Sequence, residues 1–513
     1  MSRSLARVVV VCVAAAWNWA LAAEHRPDGQ AKRLPNIVIL YADDMGFGDL
    51  AIQNPDSKIP TPHLDQLARD GMRFTDAHSS SGICTPSRFA LLTGIHHWRR
   101  FHDIVSSLEP PVFKPDDLTM AMMLREKGYA TACIGKWHLG WDWNAIRKPD
   151  APKGRNSHVD FDWSRPVPGG PLDRGFDHYF GDDVINFPPY AWIDDNRLVR
   201  APDADLTSKS MKAATKEGAW EARPGPALAD WDFYRVLPTL TDKAIDYVRS
   251  RKDAAKPFFF YMPFPSPHAP IVPNDEFNGR SGAGAYGDFV VQTDDACGRI
   301  LAALDEIGAA DNTIVFFSAD NGAERYAYAR DAAFGHWSSG LFRGAKRDLY
   351  EGGHRVPTII RWPGVLKPGS VCDSLFSQVD LMATLASLVG YTLPETAAVD
   401  SHDFLPFFTG RTDTPPRRSH VHNTSAKRYA VRDGNWLLVN APTGASGPVP
   451  DDWLTRHGYP ADDGLPVELY DMAVDPGERT NLASAQPETV HRLQSLLTKL
   501  REDGHSAPRL ARP

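Results

Sequence analysis

A chain of 513 residues with 42% hydrophobic side chains has ample material for a large packed core, which excludes a disordered or fibrous protein. Its 64 acidic against 56 basic residues leave a formal charge of -8, which, with the lack of a long basic run, argues against nucleic acid as a partner. An acidic chain that binds an anion has to gather its positive charges locally.

The N-terminus reads as an export signal. Arg3 and Arg7 precede an apolar run over residues 8–17, and Ala20-Leu21-Ala22 offers a small-x-small cleavage site before Glu24. Removal of residues 1–23 would deliver the chain to the periplasm or the medium. The run is too short to span a bilayer, and no later segment is suited to span one. Cys12 leaves with the signal. Cys84, Cys133, Cys297 and Cys372 are scattered and do not read as a disulfide framework.

Pro35-Asn36 opens a continuous apolar run at 37–42, and similar runs recur at 130–134, 257–262 and 313–318. Such runs fit strands buried on both faces. Helical patterns at 63–70, 118–127, 239–250 and 286–307 alternate with them. The alternation predicts an α/β fold in which helices sandwich a large, mostly parallel sheet. From 141 to 235 the pattern gives way to Pro-, Gly-, Asp- and Trp-rich sequence, including Phe187-Pro188-Pro189-Tyr190. Its aromatic content predicts an ordered wall for a substrate. A boundary near 412–418 closes a catalytic domain over 34–411. Beyond it, Asp433-Gly434-Asn435 separates two strands as a hairpin, 468–471 reads as a strand and 487–502 as a terminal helix. These form a smaller α+β subdomain over 419–508.

Several apolar runs empty directly into polar clusters, and in open α/β sheets ligands sit beyond the carboxyl ends of strands. The first run ends in Asp43-Asp44 and the last in Asp320-Asn321. Adjacent carboxylates repel unless a cation holds them, and an all-oxygen set suits calcium or magnesium. Turn and capping duty is the other reading of each pair alone; two pairs together favour metal. Lys136 and His138 follow another run on a Gly-bounded turn, and His268 follows a fourth. A lone histidine is more often structural than catalytic, and the basic run around Lys346 reads by itself as a solvated face.

Cys84-Thr85-Pro86-Ser87-Arg88 has its own physics. Pro86 suits the first turn of a helix, which makes Thr85 the expected cap, and Gly94 marks the stop. Cys84 then stands at a helix N-terminus, where free N–H groups favour an anion, with Arg88 one turn on.

PNIVILYADDMGFGD, CTPSRFALLTG, GKWHLG, SPHAP, SADNG and YEGGHRVP occur in family order and together resemble the type I sulfatases of the alkaline phosphatase superfamily. ELYDMAVDPGERTNL resembles that family's C-terminal subdomain. The resemblance implies an alkaline phosphatase-like α/β domain with a smaller domain carrying an antiparallel sheet. It also implies that a maturing enzyme, formylglycine-generating or anaerobic, oxidises Cys84 to formylglycine. Asp43, Asp44, Asp320 and Asn321 would be calcium ligands, with modified Cys84 completing the shell. Arg88 and Lys136 would hold the formylglycine, His138 would act as a base, and His268 and Lys346 would contact the sulfate and the bridging oxygen. The implied reaction is attack of a hydrated aldehyde on sulfur, loss of the alcohol, then collapse of the sulfated intermediate to aldehyde and sulfate. The alcohol, aryl or carbohydrate, is left open. Competing readings are a phosphomonoesterase or phosphodiesterase on the same fold, a thiolate nucleophile at Cys84, and a non-catalytic binder of sulfated glycans.

Overall fold

The computed structural model describes residues 33–207, 215–218, 222–460 and 463–508. The expected export signal, with Arg3, Arg7 and Cys12, lies outside the described residues.

The four apolar runs become the centre of a ten-stranded sheet: β1 (Asn36–Ala42), β2 (Ala130–Ile134), β3 (Phe258–Pro263) and β4 (Thr313–Ala319). Every residue of β3 and β4 is buried, as expected of strands covered on both faces. Across the sheet they run β4-β1-β3-β2, all parallel. Tyr41 pairs with Pro263 on one side and Ser318 on the other, so β1, β3 and β4 finish nearly level.

A fifth parallel strand, His178–Gly181, flanks β2; the sequence patterns did not mark it. Antiparallel pairs enter on both flanks, although the outermost strand on one side, Ser370–Cys372, runs parallel to its neighbour Met72–Phe74. Thr358–Arg361 runs antiparallel to β4, and Met72–Phe74 antiparallel to it in turn. At the far edge Ile193–Asp194 and Arg197–Leu198 form a hairpin, which short connections permit and parallel pairing does not.

Period-two alternation in β1 assigns the two cores. Val38, Leu40 and Ala42 face helices Pro62–Asp70, Val236–Arg249 and Gly284–Glu306 through Leu64, Leu240 and Phe289. Ile37, Ile39 and Tyr41 face helices Cys84–Thr93, Met120–Glu126 and Asp380–Val389 through Leu91, Met123 and Leu385.

The 141–235 segment spends much of its aromatic content differently from the expected substrate wall. Trp141 and Trp143 are buried, and they pack with Phe161, Trp163 and Tyr179 in the second core. Aromatic packing into that shared core holds this part of the segment, which has little regular structure.

Beyond residue 418, strands Ser419–Ser425, Arg428–Asp433, Trp436–Val439 and Glu468–Asp471 make an antiparallel sheet. Helix Pro487–Glu502 covers one face through Leu493, Leu497 and Leu500, while the other face packs Leu437 and Tyr470 on Leu349 and Tyr350. Cys84, Cys133, Cys297 and Cys372 are free and buried. Among the described residues no helix is long and apolar enough to cross a membrane.

Candidate active site

The strand ends are laced together by backbone bonds that project side chains into one space. Asp320 N–H donates to Ala42 O (3.1 Å), Asp43 N–H to Ser266 O (2.9 Å) and Lys136 N–H to Pro263 O (2.8 Å). Asp43, Lys136 and Asp320 therefore start just past β1, β2 and β4. Asp44 and His138 take left-handed backbone angles (φ 65° and 53°), uncommon outside glycine and a frequent sign of a functional turn.

Cys84 enters on helix Cys84–Thr93. The helix begins two residues earlier than expected: Ile83 is its cap, Cys84 already lies in the first turn, and Thr85 caps nothing. Thr85 Oγ1 instead donates to His138 O (2.9 Å) and accepts from Val105 N–H (3.1 Å). Gly94 ends the helix at φ 68°, as expected.

All ten sequence-predicted residues converge, and none is more than 6% exposed. Cys84 Sγ lies 3.6 Å from Asp43 Oδ1. Lys136 Nζ reaches Asp43 Oδ2 at 2.5 Å. Arg88 donates through Nε and Nη2 to Asp320 Oδ2 (3.0 and 2.8 Å), and Nη2 stands 3.7 Å from Asp43. Lys346 Nζ is 2.5 Å from Asp44 Oδ1, and His268 Nε2 is 3.7 Å from Asp44 Oδ2. Asn321 Nδ2 donates to Asp44 Oδ1 at 2.7 Å. Lys346, which looked like part of a solvated basic run, is buried against this carboxylate.

Three carboxylates thus meet three cations. Burial alone would raise Asp43, but Lys136, His268 and Arg88 outweigh it and hold the group at about 2. Asp320 moves the other way: burial, then repulsion from Asp43, raises it against the pull of Arg88 and Lys136. Burial lowers His138 well below the usual histidine range, and Lys136 and Arg88 add to this. Its Nε2 faces Val105 O at 3.0 Å, so Nε2 carries the hydrogen and Nδ1, which has no partner, offers a lone pair. Asp44 Oδ2 and Asn321 Oδ1 are buried oxygens without a donor. Two orphaned acceptors between repelling carboxylates form a donor set suited to a hard dication.

Two further residues escaped sequence reasoning. Asp183 Oδ1 accepts from His138 N–H (3.1 Å), and Glu324 Oε2 lies 3.7 Å from Lys346 Nζ. Asp182-Asp183 follows strand His178–Gly181 as Asp43-Asp44 follows β1, so the same pattern of strand followed by acidic pair was present. Glu324 carried no local signal.

The protein-family description Sulfatase matches residues 35–391. The chain belongs to the sulfatase family. As a sulfatase it is a sulfuric ester hydrolase. The N-acetylgalactosamine-6-O-sulfatase of Bacteroides thetaiotaomicron is 33% identical, across 93% of this chain and 95% of that protein. Human arylsulfatase A is 33% identical, across 90% of this chain and 87% of its own length. A solved sulfatase structure from the glycosaminoglycan metabolism of B. thetaiotaomicron superposes with a TM-score of 0.75 at 31% identity, covering 91% of this chain and 99% of that one. The phosphonate monoester hydrolase of Agrobacterium radiobacter, 18% identical with a TM-score of 0.60, shares the fold.

Proposed function

We propose that this sulfatase is an exported, calcium-dependent enzyme that removes sulfate from a sulfated saccharide, using a formylglycine made from Cys84. One observation carries the reading: three carboxylates and three buried cations converge on Cys84 at the ends of the central strands. These six charges balance, so a bound dication leaves a net positive cavity suited to an anionic ester. Saccharide is preferred over aryl ester because the N-acetylgalactosamine-6-O-sulfatase relative is joined by a solved sulfatase structure from glycosaminoglycan metabolism, at 31% identity and a TM-score of 0.75.

Asp43, Asp44, Asp320 and Asn321 would hold calcium, whose charge would polarise the sulfuryl oxygens and acidify a neighbouring hydroxyl. Formylglycine, once hydrated, would supply two hydroxyls on one carbon, which neither serine nor cysteine can. Arg88 and Lys136 fix that residue and add positive charge where negative charge develops on the ester. Neutral His138 accepts a proton at Nδ1. His268 Nδ1 donates to Ala269 O at 2.5 Å, leaving Nε2 toward the site. Protonated there, His268 can assist the departing alcohol oxygen, as can Lys346. Burial opposes the charge on Lys346, yet Asp44 and Glu324 raise its pKa well above the usual lysine value.

The encoded thiol is a poor substitute for formylglycine. Burial pushes Cys84 above its usual range despite Lys136 and Lys346, and a protonated thiol is a weak nucleophile. Mass spectrometry of the peptide spanning Cys84, on active exported protein, tests the reading. Aldehyde is expected, and unmodified thiol in active enzyme defeats the mechanism. Parallel assays on sulfated N-acetylgalactosamine and matched aryl sulfate and phosphate test the substrate class. Faster phosphate turnover would assign the site to phosphate esters.

A further inference from the structure

A second cluster of donors lies apart from the strand ends. His78, Glu351, His354 and His422 are each no more than 1% exposed. One donor atom from each lies within 4.8 Å of the others. They come from three separate segments: the short strand Ala77–His78, one turn of the Glu351–His354 helix, and strand Ser419–Ser425 of the C-terminal sheet.

The ring hydrogens show what the cluster lacks. His78 Nε2 faces Asp76 Oδ1 at 2.8 Å, and His354 Nε2 faces Leu349 O at 3.1 Å. An ionised carboxylate and a carbonyl only accept, so both Nε2 atoms carry hydrogens. In neutral rings both Nδ1 atoms are then bare lone pairs, and they stand 3.1 Å apart. Two lone pairs at that distance repel unless a cation, a proton or a metal ion, sits against both.

The surroundings favour the metal. Both nitrogens of His422 are buried without partners. Glu351 meets Arg355 Nη1 at 3.0 Å, yet neither of its oxygens has an aligned hydrogen bond. A histidine that donates one ring N–H to a carboxylate or carbonyl and turns the other nitrogen inward is oriented as metal-ligating histidines are. The His422 ring stacks on His354 with centroids 3.5 Å apart. Turning its edge toward the site breaks no hydrogen bond.

Charge then selects the ion. Asp76 and Glu351 are already compensated by Arg355 and Arg432. A hard ion that depends on anionic oxygens gains little here. Three imidazoles and one carboxylate suit a zinc-class ion.

We propose that His78, His354, His422 and Glu351 bind a zinc-class dication, a structural ion tying the C-terminal sheet to the segment that runs into Cys84. The site is distinct from the calcium site at the strand ends. Elemental analysis of tag-free protein, after exchange into zinc-supplemented and then metal-free buffer, should give about one zinc per chain beside calcium. Anomalous scattering at the zinc edge should place it against His78 and His354. His354→Ala should lose the zinc, keep its calcium and melt at lower temperature. Should that variant fail to fold, cobalt-loaded wild type should show the visible bands of a four-coordinate ion. Folded wild type without stoichiometric zinc, zinc retained in His354→Ala, or cobalt protein without those bands each overturns the proposal. Selective calcium removal that leaves zinc in place separates this site from the catalytic one.

Discussion

His138 is built to take a proton and hold it briefly. Its backbone N–H is pinned by Asp183, its Nε2–H by Val105 O, and Nδ1 is left as the one free acceptor. In the proposed mechanism such a base would matter most where the formylglycine releases sulfate. His138→Ala should therefore lower steady-state kcat by about 10²–10⁴-fold, while a first turnover of alcohol persists as a stoichiometric burst. Rapid-mix kinetics checks this; loss of the burst together with the steady rate would move His138 to the first step. The paired residues Asp43-Asp44 and Asp320-Asn321, and the Cys84 motif, were legible because each sits in a compact local pattern. Lys346 was legible only through the family resemblance and not from its own surroundings in the sequence, because its burial depends on Asp44, which is remote in sequence. Glu324 was invisible for the same reason.

At the scale of elements, level strand ends do the positioning, and the turns beyond them have no spare room. A Cβ on Gly46, two residues past Asp44, would fall 2.1 Å from Ser338 O. Gly46→Ala must push the turn away from that backbone. It should cost about 1–3 kcal/mol of stability and weaken calcium binding, read by thermal unfolding and calcium titration. In the described part of the 141–235 segment the aromatics were visible in the sequence but not what they do, since composition cannot separate a ring packed on its neighbours from one facing a ligand. The part that approaches the chemistry is Phe187, whose ring edge meets His138 at a centroid separation of 5.3 Å, with the Arg223 guanidinium 4.0 Å over its face. Arg223 is half-buried and also bonds Ser106 Oγ. Arg223→Ala should raise KM for a sulfated saccharide by about tenfold, a loss of about 1.4 kcal/mol, and leave a small aryl sulfate nearly unaffected. Equal effects on both would make Arg223 a packing residue. The edge strands were missed because runs of two to four residues carry too little periodicity.

For the molecule as a whole, buried histidines set an acid limit. Burial lowers His96 to about 4, His97 to about 3 and His402 to about 4, from an ordinary value of 6.5. Between about pH 6.5 and 4 the unfolded chain binds protons that the folded chain refuses, so stability falls as pH falls through that window. Urea midpoints should drop steadily from pH 6.5 to 4.5, with uptake of about two or more protons on unfolding. A flat profile would mean that these rings are protonated in the folded state. The C-terminal sheet shares in this cooperative unit, since Asn423 Oδ1 receives His97 and His102 while its carbonyl accepts from Ser81 Oγ.

The burial of Cys84 carries a consequence for timing. At 3% exposure and in the first helical turn, its sulfur is closed to a second protein's active site. An enzyme that made the proposed formylglycine would have to meet the chain while the Cys84–Thr93 segment is still extended. Maturation and folding would then compete, and folded protein still carrying the thiol would be a poor precursor. The active fraction of a preparation would be decided during biosynthesis.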